Sequence, residues 1–218
     1  SIGVGIVIIT AGIDLSVGSL MALLGVVFLY FVTPPETRPD SFLAKVIPEI
    51  PWLVAVLFTL LIGTAIGVFQ GLLVGKLKLQ AFIVTLCGLL SYRGLARFSA
   101  DDTSINISDS SQNLEFLRFL GEGSLSDVLS NGNGSGFLHS IPMSFIYLVC
   151  FAIFFGVLLH KSVFGRYIFA AGRNELATKY SGINTNIVIA CAYIIAGFCT
   201  AFAAIPFCIY TGSVQPAT

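Results

Sequence analysis

The chain has 218 residues, of which 56% are hydrophobic and 10% charged, with 19 phenylalanines and a mean hydropathy of +0.94. That composition excludes an ordinary soluble domain and points to a membrane protein or a piece of one. Eleven basic and eleven acidic residues cancel, so no positive field exists to attract nucleic acid, and nucleic-acid binding is not expected.

In chain order, the first apolar run covers 1–11. It has no initiator Met, charged leader or cleavage site before it, so the sequence reads as an internal segment of a longer chain. Next comes TAGIDLSVGSLMAL, where Asp14 stands at the head of a second run, 16–32. An isolated charge in hydrocarbon costs about 2.5 to 3.5 kcal/mol on insertion scales, so something local must satisfy it. With Gly12 before it and Ser16 and Gly18 after it, the expected solution is a helix break. Asp14 then acts as N-cap, its carboxylate accepting backbone N–H bonds around Ser16 and Val17. Interrupted helices at membrane depth occur where they are buried in protein or line a cavity. Asp14 is therefore a satisfied cap, a residue on a translocation path or ion site, or a surface residue, and the motif alone does not choose.

Further apolar runs cover 52–74, 80–97, 141–160 and 187–210. They are too long and too continuously apolar for barrel strands. The expected fold class is all-α: a polytopic transmembrane helical bundle, a single transmembrane domain over 1–218 with one discontinuous helix. In the run 52–74, Gly63, Gly67, Gly71 and Gly75 recur every fourth residue and predict a small-residue face against another helix. Gln70 beside that face needs polar partners in any setting.

Lys and Arg in short links set the expected orientation. Lys76, Lys78, Lys161, Arg166, Arg173 and Lys179 fall on one side, expected to be cytoplasmic, whereas every acidic residue except Asp14 and Glu175 falls in the stretch after 32 or in the outer insert 98–140. Arg93 and Arg97 run against this bias. The insert carries a short amphipathic stretch, NLEFLRFL, followed by the glycine-rich SNGNGSG.

The cytoplasmic segment 161–186 is the most organised polar stretch. Asn174 suits an N-cap, Glu175 the first turn, Lys179 the last and Gly182 a left-handed exit. A helix of about two turns results, too short and polar to cross a bilayer. Arg166 and Arg173 can pair with carboxylates of a partner or with membrane lipid head groups.

No catalytic residue and no metal site is expected. His139 and His160 lie near opposite faces, and the five cysteines sit in apolar runs without ligand spacing. The glycine pattern of a nucleotide-binding loop is missing around GKLK.

Three stretches, TAGIDLSVGSLMAL, GLLVGKLKLQAFIVTLCGLLSYRGLA and SVFGRYIFAAGRNELATKYSGINTN, resemble the permease subunits of bacterial ABC importers for ribose, xylose, galactose and related monosaccharides, within the group that includes branched-chain amino acid permeases. The resemblance implies a multi-pass protein of the bacterial inner membrane that performs no covalent chemistry. Its implied partners are a second permease copy, a cytoplasmic ABC ATPase carrying the ATP and Mg, a periplasmic sugar-binding protein and a monosaccharide moved by alternating access. It also implies that Gly172 to Gly182 form the coupling contact with the ATPase. Two features depart from the family pattern: proline is absent at Gln80 and Ala81, and the outer insert is long. The competing functions are an ion-coupled secondary transporter or channel using Asp14, and a non-transporting membrane scaffold.

Overall fold

The computed structural model describes residues 2–34, 50–101, 103–106, 121, 123 and 142–215. The described elements in chain order are α1 (Ile2–Ile9), α2 (Val17–Val32), α3 (Trp52–Gly75), α4 (Ala81–Ala100), β1 (Ile105–Asn106), α5 (Met143–Lys161), α6 (Val163–Arg173), α7 (Glu175–Tyr180), α8 (Thr185–Thr211) and β2 (Ser213–Val214). The architecture is all-α apart from one antiparallel pairing of β1 with β2, in which Ile105 faces Val214 and Asn106 faces Ser213. The amphipathic stretch expected at 114–120, and His139, lie outside the described residues.

Among the described residues, four helices, α3, α4, α5 and α8, are long and apolar enough to cross a membrane. At 16 residues, α2 extends about 24 Å, short of the hydrocarbon thickness. Its near-continuous apolarity buries Leu20, Leu24, Phe28 and Leu29 among the other helices. The chain enters α4 through Gln80, whose φ of −63° is the angle a proline would impose. Glutamine therefore reaches the same helix start without the ring.

The glycine stripe of α3 lies against α8, and the two helices run antiparallel. A Cβ on Gly67 would stand 2.6 Å from the Tyr193 carbonyl oxygen, and one on Gly71 2.7 Å from that of Ala190. A Cβ on Gly75 would meet the Asn186 carbonyl oxygen in the same way, and one on Gly63 would meet the Ala201 methyl group. From the other side, Gly197 of α8 fits against the Gly63 backbone. Only hydrogen fits at these positions, so the backbones approach closely and gain dispersion contact along their length.

The packed interior forms three layers. One groups Phe28, Tyr30, Ala55, Ile105, Ile209 and Val214; a middle one groups Leu20, Leu24, Tyr92, Ala96 and Ala201; the third groups Ile6, Val7, Val84, Ile168, Val188 and Tyr193. The third layer adjoins the end of the bundle that carries the lysine-rich links, called here the basic end.

Residues 161–186 contain two helices where the sequence predicts one. The hydroxyl of Ser162 accepts from the Gly165 N–H at 3.0 Å and starts α6. Gly165, Ile168 and Ala171 then turn one face inward. The polar helix that follows is shorter than predicted, six residues from Glu175 to Tyr180. Its caps match the sequence pattern: Asn174 Oδ1 accepts from the Ala177 N–H at 3.0 Å, and Gly182 leaves with φ +83°.

Candidate functional site: the helix break and the basic end

Between α1 and α2 the chain loses helical hydrogen bonding for a few residues. Ala11 takes a positive φ of 58°, and the hydroxyl of Thr10 turns back onto the Val7 carbonyl at 2.8 Å. Asp14 is not the N-cap. Ser16 occupies that position, at φ −81° and ψ −12° with no side-chain cap bond. One carboxylate oxygen of Asp14 accepts from both the backbone N–H of Ser16, at 2.9 Å, and its hydroxyl, at 2.7 Å. The aspartate thus closes a turn over two residues instead of reaching the N–H groups of the first helical turn.

That turn is tied to the neighbouring helices. Gln70 Nε2 donates to the Ser16 hydroxyl at 2.8 Å, and Ser16 and Gln70 are almost wholly buried. A polar chain therefore runs from α3 through Ser16 to the Asp14 carboxylate. On the α4 side, the Thr85 hydroxyl lies 3.1 Å from the Ile13 carbonyl and 2.9 Å from its own Ala81 carbonyl, sharing one proton between them. Gly88 makes room for this junction, since a Cβ there would stand 3.0 Å from Gln70 Nε2. Tyr92 packs beside Gln70 and closes the cluster from above. Tyr193 of α8 approaches from the far side: its hydroxyl lies 3.0 Å from where a Gly12 Cβ would be, and it is buried without a hydrogen-bond partner.

Asp14, Ser16 and Gln70 therefore meet, and Gly12 adjoins them. Gly18 does not. Its Cβ position is open, and it lines a separate half-open cavity of about 430 Å³ with Met21, Phe207 and Thr211. Thr85, Tyr92 and Tyr193 were not singled out from the sequence. A signal existed for α4, where Thr85, Gly88 and Tyr92 fall at helical spacing on one face. Tyr193 lies eight residues into α8, about 12 Å along an axis of about 40 Å, so the break sits in the half of the bundle nearer the basic end.

At the basic end, Gly172 of α6 rests directly on the Ile9 carbonyl at the end of α1, leaving no room for a side chain. The segment carrying α7 is thus in backbone contact with the helix that leads into the Asp14 turn. Glu175 makes an ion pair with Lys78 in the α3–α4 link, and the same carboxylate oxygen accepts from the Thr185 hydroxyl at 3.2 Å. The hydrogen bond from Lys78 is the largest influence holding the Glu175 carboxyl below its ordinary range; the Thr185 hydroxyl and the charge of Lys179 act in the same direction, against a smaller opposing effect of burial. Arg166, Arg173 and Lys179 point outward, as do Leu176 and Tyr180, 68% and 90% exposed.

The whole chain, residues 1–218, matches the profile of the branched-chain amino acid transport system / permease component family. Among curated relatives, the ribose import permease protein of Haemophilus influenzae is 32% identical over 217 residues, covering 99% of this chain and 58% of the relative. The fructose import permease protein of Bifidobacterium longum is 32% identical, covering 92% and 49%. The galactofuranose transporter permease protein of Escherichia coli is 30% identical, covering 94% and 51%. The chain therefore spans between about half and three-fifths of the length of these relatives. No solved structure matches it. With four helices able to cross a bilayer and a family match over its full length, the chain is a multi-pass membrane protein belonging to the branched-chain amino acid transport system / permease component family.

Proposed function

We propose that the protein is the membrane-spanning subunit of an ATP-driven importer of a monosaccharide in the bacterial inner membrane, working by alternating access. The relatives whose printed names specify ribose, fructose and galactofuranose support the substrate class. The observation that carries the mechanism is the backbone contact between Gly172 and Ile9, which joins the exposed helix α7 to the interrupted helix at Asp14. In this reading ATP and Mg are held by a separate cytoplasmic ATPase. That partner docks on α7 through Leu176, Tyr180, Arg173 and Lys179, and a second permease copy and a periplasmic sugar-binding protein complete the assembly.

Transport requires that the partners stabilise two permease conformations unequally. Docking at α7 displaces α6 and, through Gly172, the end of α1. The polar chain Asp14–Ser16–Gln70 keeps the turn satisfied in the conformation described, and its rearrangement on the α3 and α4 faces changes the opening on the basic side. The chain contributes position and packing, and the chemistry of ATP hydrolysis belongs to the partner.

Uptake of labelled ribose, fructose and galactose into proteoliposomes containing the permease, its cognate ATPase and the binding protein tests this. Uptake of at least one sugar should require ATP and vanish when the nucleotide-binding lysine of the ATPase is replaced. Uptake that survives that replacement and follows a sodium or proton gradient overturns the reading in favour of ion coupling.

A further inference from the structure

We infer that Glu175 is a positioning residue that fastens α7 to both helices of the glycine-packed α3–α8 pair, and not a docking contact for the ATPase. This rests on the importer reading above. A glutamate in the first turn of an exposed helix at the proposed docking face would ordinarily be assigned to the partner, and the geometry argues otherwise. One carboxylate oxygen gathers Lys78, from the link leaving α3, and Thr185, the buried first residue of α8. The two helix ends it bridges are already in contact, since Gly75 leaves room for the Asn186 carbonyl. Lys78 holds a positive φ of 56°, a conformation unfavourable for a side-chain-bearing residue. The ion pair is one interaction that offsets that cost, and the bond from the Leu79 N–H to the Leu73 carbonyl, at 3.2 Å, folds the link back onto α3.

The rest of α7 divides the same way. Thr178 faces inward, donating to the Asn174 carbonyl at 2.8 Å and accepting the chain's return through the bond from Ile183 N–H to its carbonyl at 3.3 Å. Leu176 and Tyr180 face outward and are largely exposed. Six residues have little helical stability in water, so the inward ties decide whether a push on the outer face moves α3 and α8 or only bends α7. Because the pair is half-exposed, its energy is small, and its effect is on transmission rather than folding.

The test uses the complete transporter in proteoliposomes. Glu175→Ala, which favours the helix intrinsically, and Lys78→Ala should each leave the affinity for the ATPase within about twofold of wild type. Each should lower ribose or fructose transported per ATP hydrolysed by about fivefold, the population shift an exposed ion pair can supply. The charge swap, Lys78→Glu with Glu175→Lys, should recover most of that loss, which no mere folding defect would. Leu176→Ala and Tyr180→Ala should do the opposite, weakening ATPase binding. If Glu175→Ala weakens ATPase binding as Tyr180→Ala does, or leaves the transport ratio unchanged while wild type is coupled, the inference fails alone. If wild-type transport itself ignores the ATPase, the importer reading fails and takes the inference with it.

Discussion

At the scale of single residues, the cluster at the helix break holds both satisfied buried groups and an unsatisfied one, and Gln70 and Tyr193, one of each kind, predict opposite responses to substitution. Gln70 is buried and donates to Ser16, while Ser16 in turn donates to Asp14. Replacing Gln70 by Leu removes the donor and leaves the Ser16 hydroxyl short of a partner, a loss of about 1 to 3 kcal/mol. Tyr193 carries a buried hydroxyl without a partner, so Tyr193→Phe removes an uncompensated polar atom and should be neutral or mildly stabilising. Thermal melting of the purified protein in detergent checks both: the Gln70→Leu transition should fall and the Tyr193→Phe transition should hold or rise. A fall for Tyr193→Phe comparable to that of Gln70→Leu would mean that the hydroxyl has a partner, such as an ordered water. Asp14 was legible in the sequence as a residue needing local satisfaction, because an apolar run cannot carry a bare carboxylate. Its mode was not legible. The spacing Asp-x-Ser admits both an N-cap and a two-residue turn, and the Ser16 hydroxyl that joins the turn is held by Gln70, 54 residues further along the chain from Ser16.

At the scale of elements, periodic apolar runs and the glycine stripe were readable because each depends on one segment: four-residue spacing puts small residues on one face whatever the partner. The identity of that partner, α8, depends on backbone complementarity with Ala190 and Gly197, and α8's own pattern is apolar all round. Helix α6 was missed although Ile168 and the small residues Gly165 and Ala171 recur at helical spacing on one buried face, an amphipathic signal that was present in the sequence. The structural reason for the small residues is close approach. Gly165 rests on the Leu159 backbone and Gly172 on the Ile9 carbonyl. Gly172→Ala should therefore cost about 1 to 3 kcal/mol or more by forcing α6 away from α1, whereas Gly156→Ala, where the position is open, should stabilise α5 by about 0.5 to 1 kcal/mol. Melting curves of the two variants should move in opposite directions, and a neutral Gly172→Ala would remove the contact proposed to link α6 to the helix break. For α7 the sign of its pH dependence follows from Glu175. Its folded carboxyl titrates below the ordinary value of 4.5, so the tie to Lys78 and Thr185, assisted by Lys179, is fully formed above that value. It is lost as pH falls through the lower folded one. Hydrogen exchange of the α7 amides, corrected for intrinsic rates, should show constant protection from pH 8 to about 5 and loss only in stronger acid. Loss of protection near pH 6 to 7 would assign the anchoring to another group.

At the scale of the whole molecule, the surface is apolar where a soluble protein would be polar. Helix α5 buries only Phe155 fully and exposes Phe145, Leu148, Ile153, Phe154 and Val157, and α3 exposes Leu53, Leu57, Leu61 and Phe69. Such faces are stable only against lipid or further protein. Among the described residues, the charges other than Asp14 and Arg93 lie in the links or in the last turn of a crossing helix. The contact between Lys78 and Glu175 puts the α3–α4 link and the α5–α8 link at the same end, so the basic residues that the sequence assigns to separate links form one surface. Basic residues near membrane crossings are retained on the cytoplasmic side, and Arg93 and Arg97 in the far half of α4 are the opposing elements. The balance favours a cytoplasmic basic end, which the importer reading also needs, because an ATPase can reach α7 only there. In a variant with the five native cysteines replaced, single cysteines at Lys76 and Lys179 should resist a membrane-impermeant maleimide in intact spheroplasts and react after permeabilisation. A cysteine at Asp101, exposed just past the far end of α4, should react at once. The reverse labelling would put α7 outside the cell, out of reach of ATP, and no variant of the coupling mechanism would survive it.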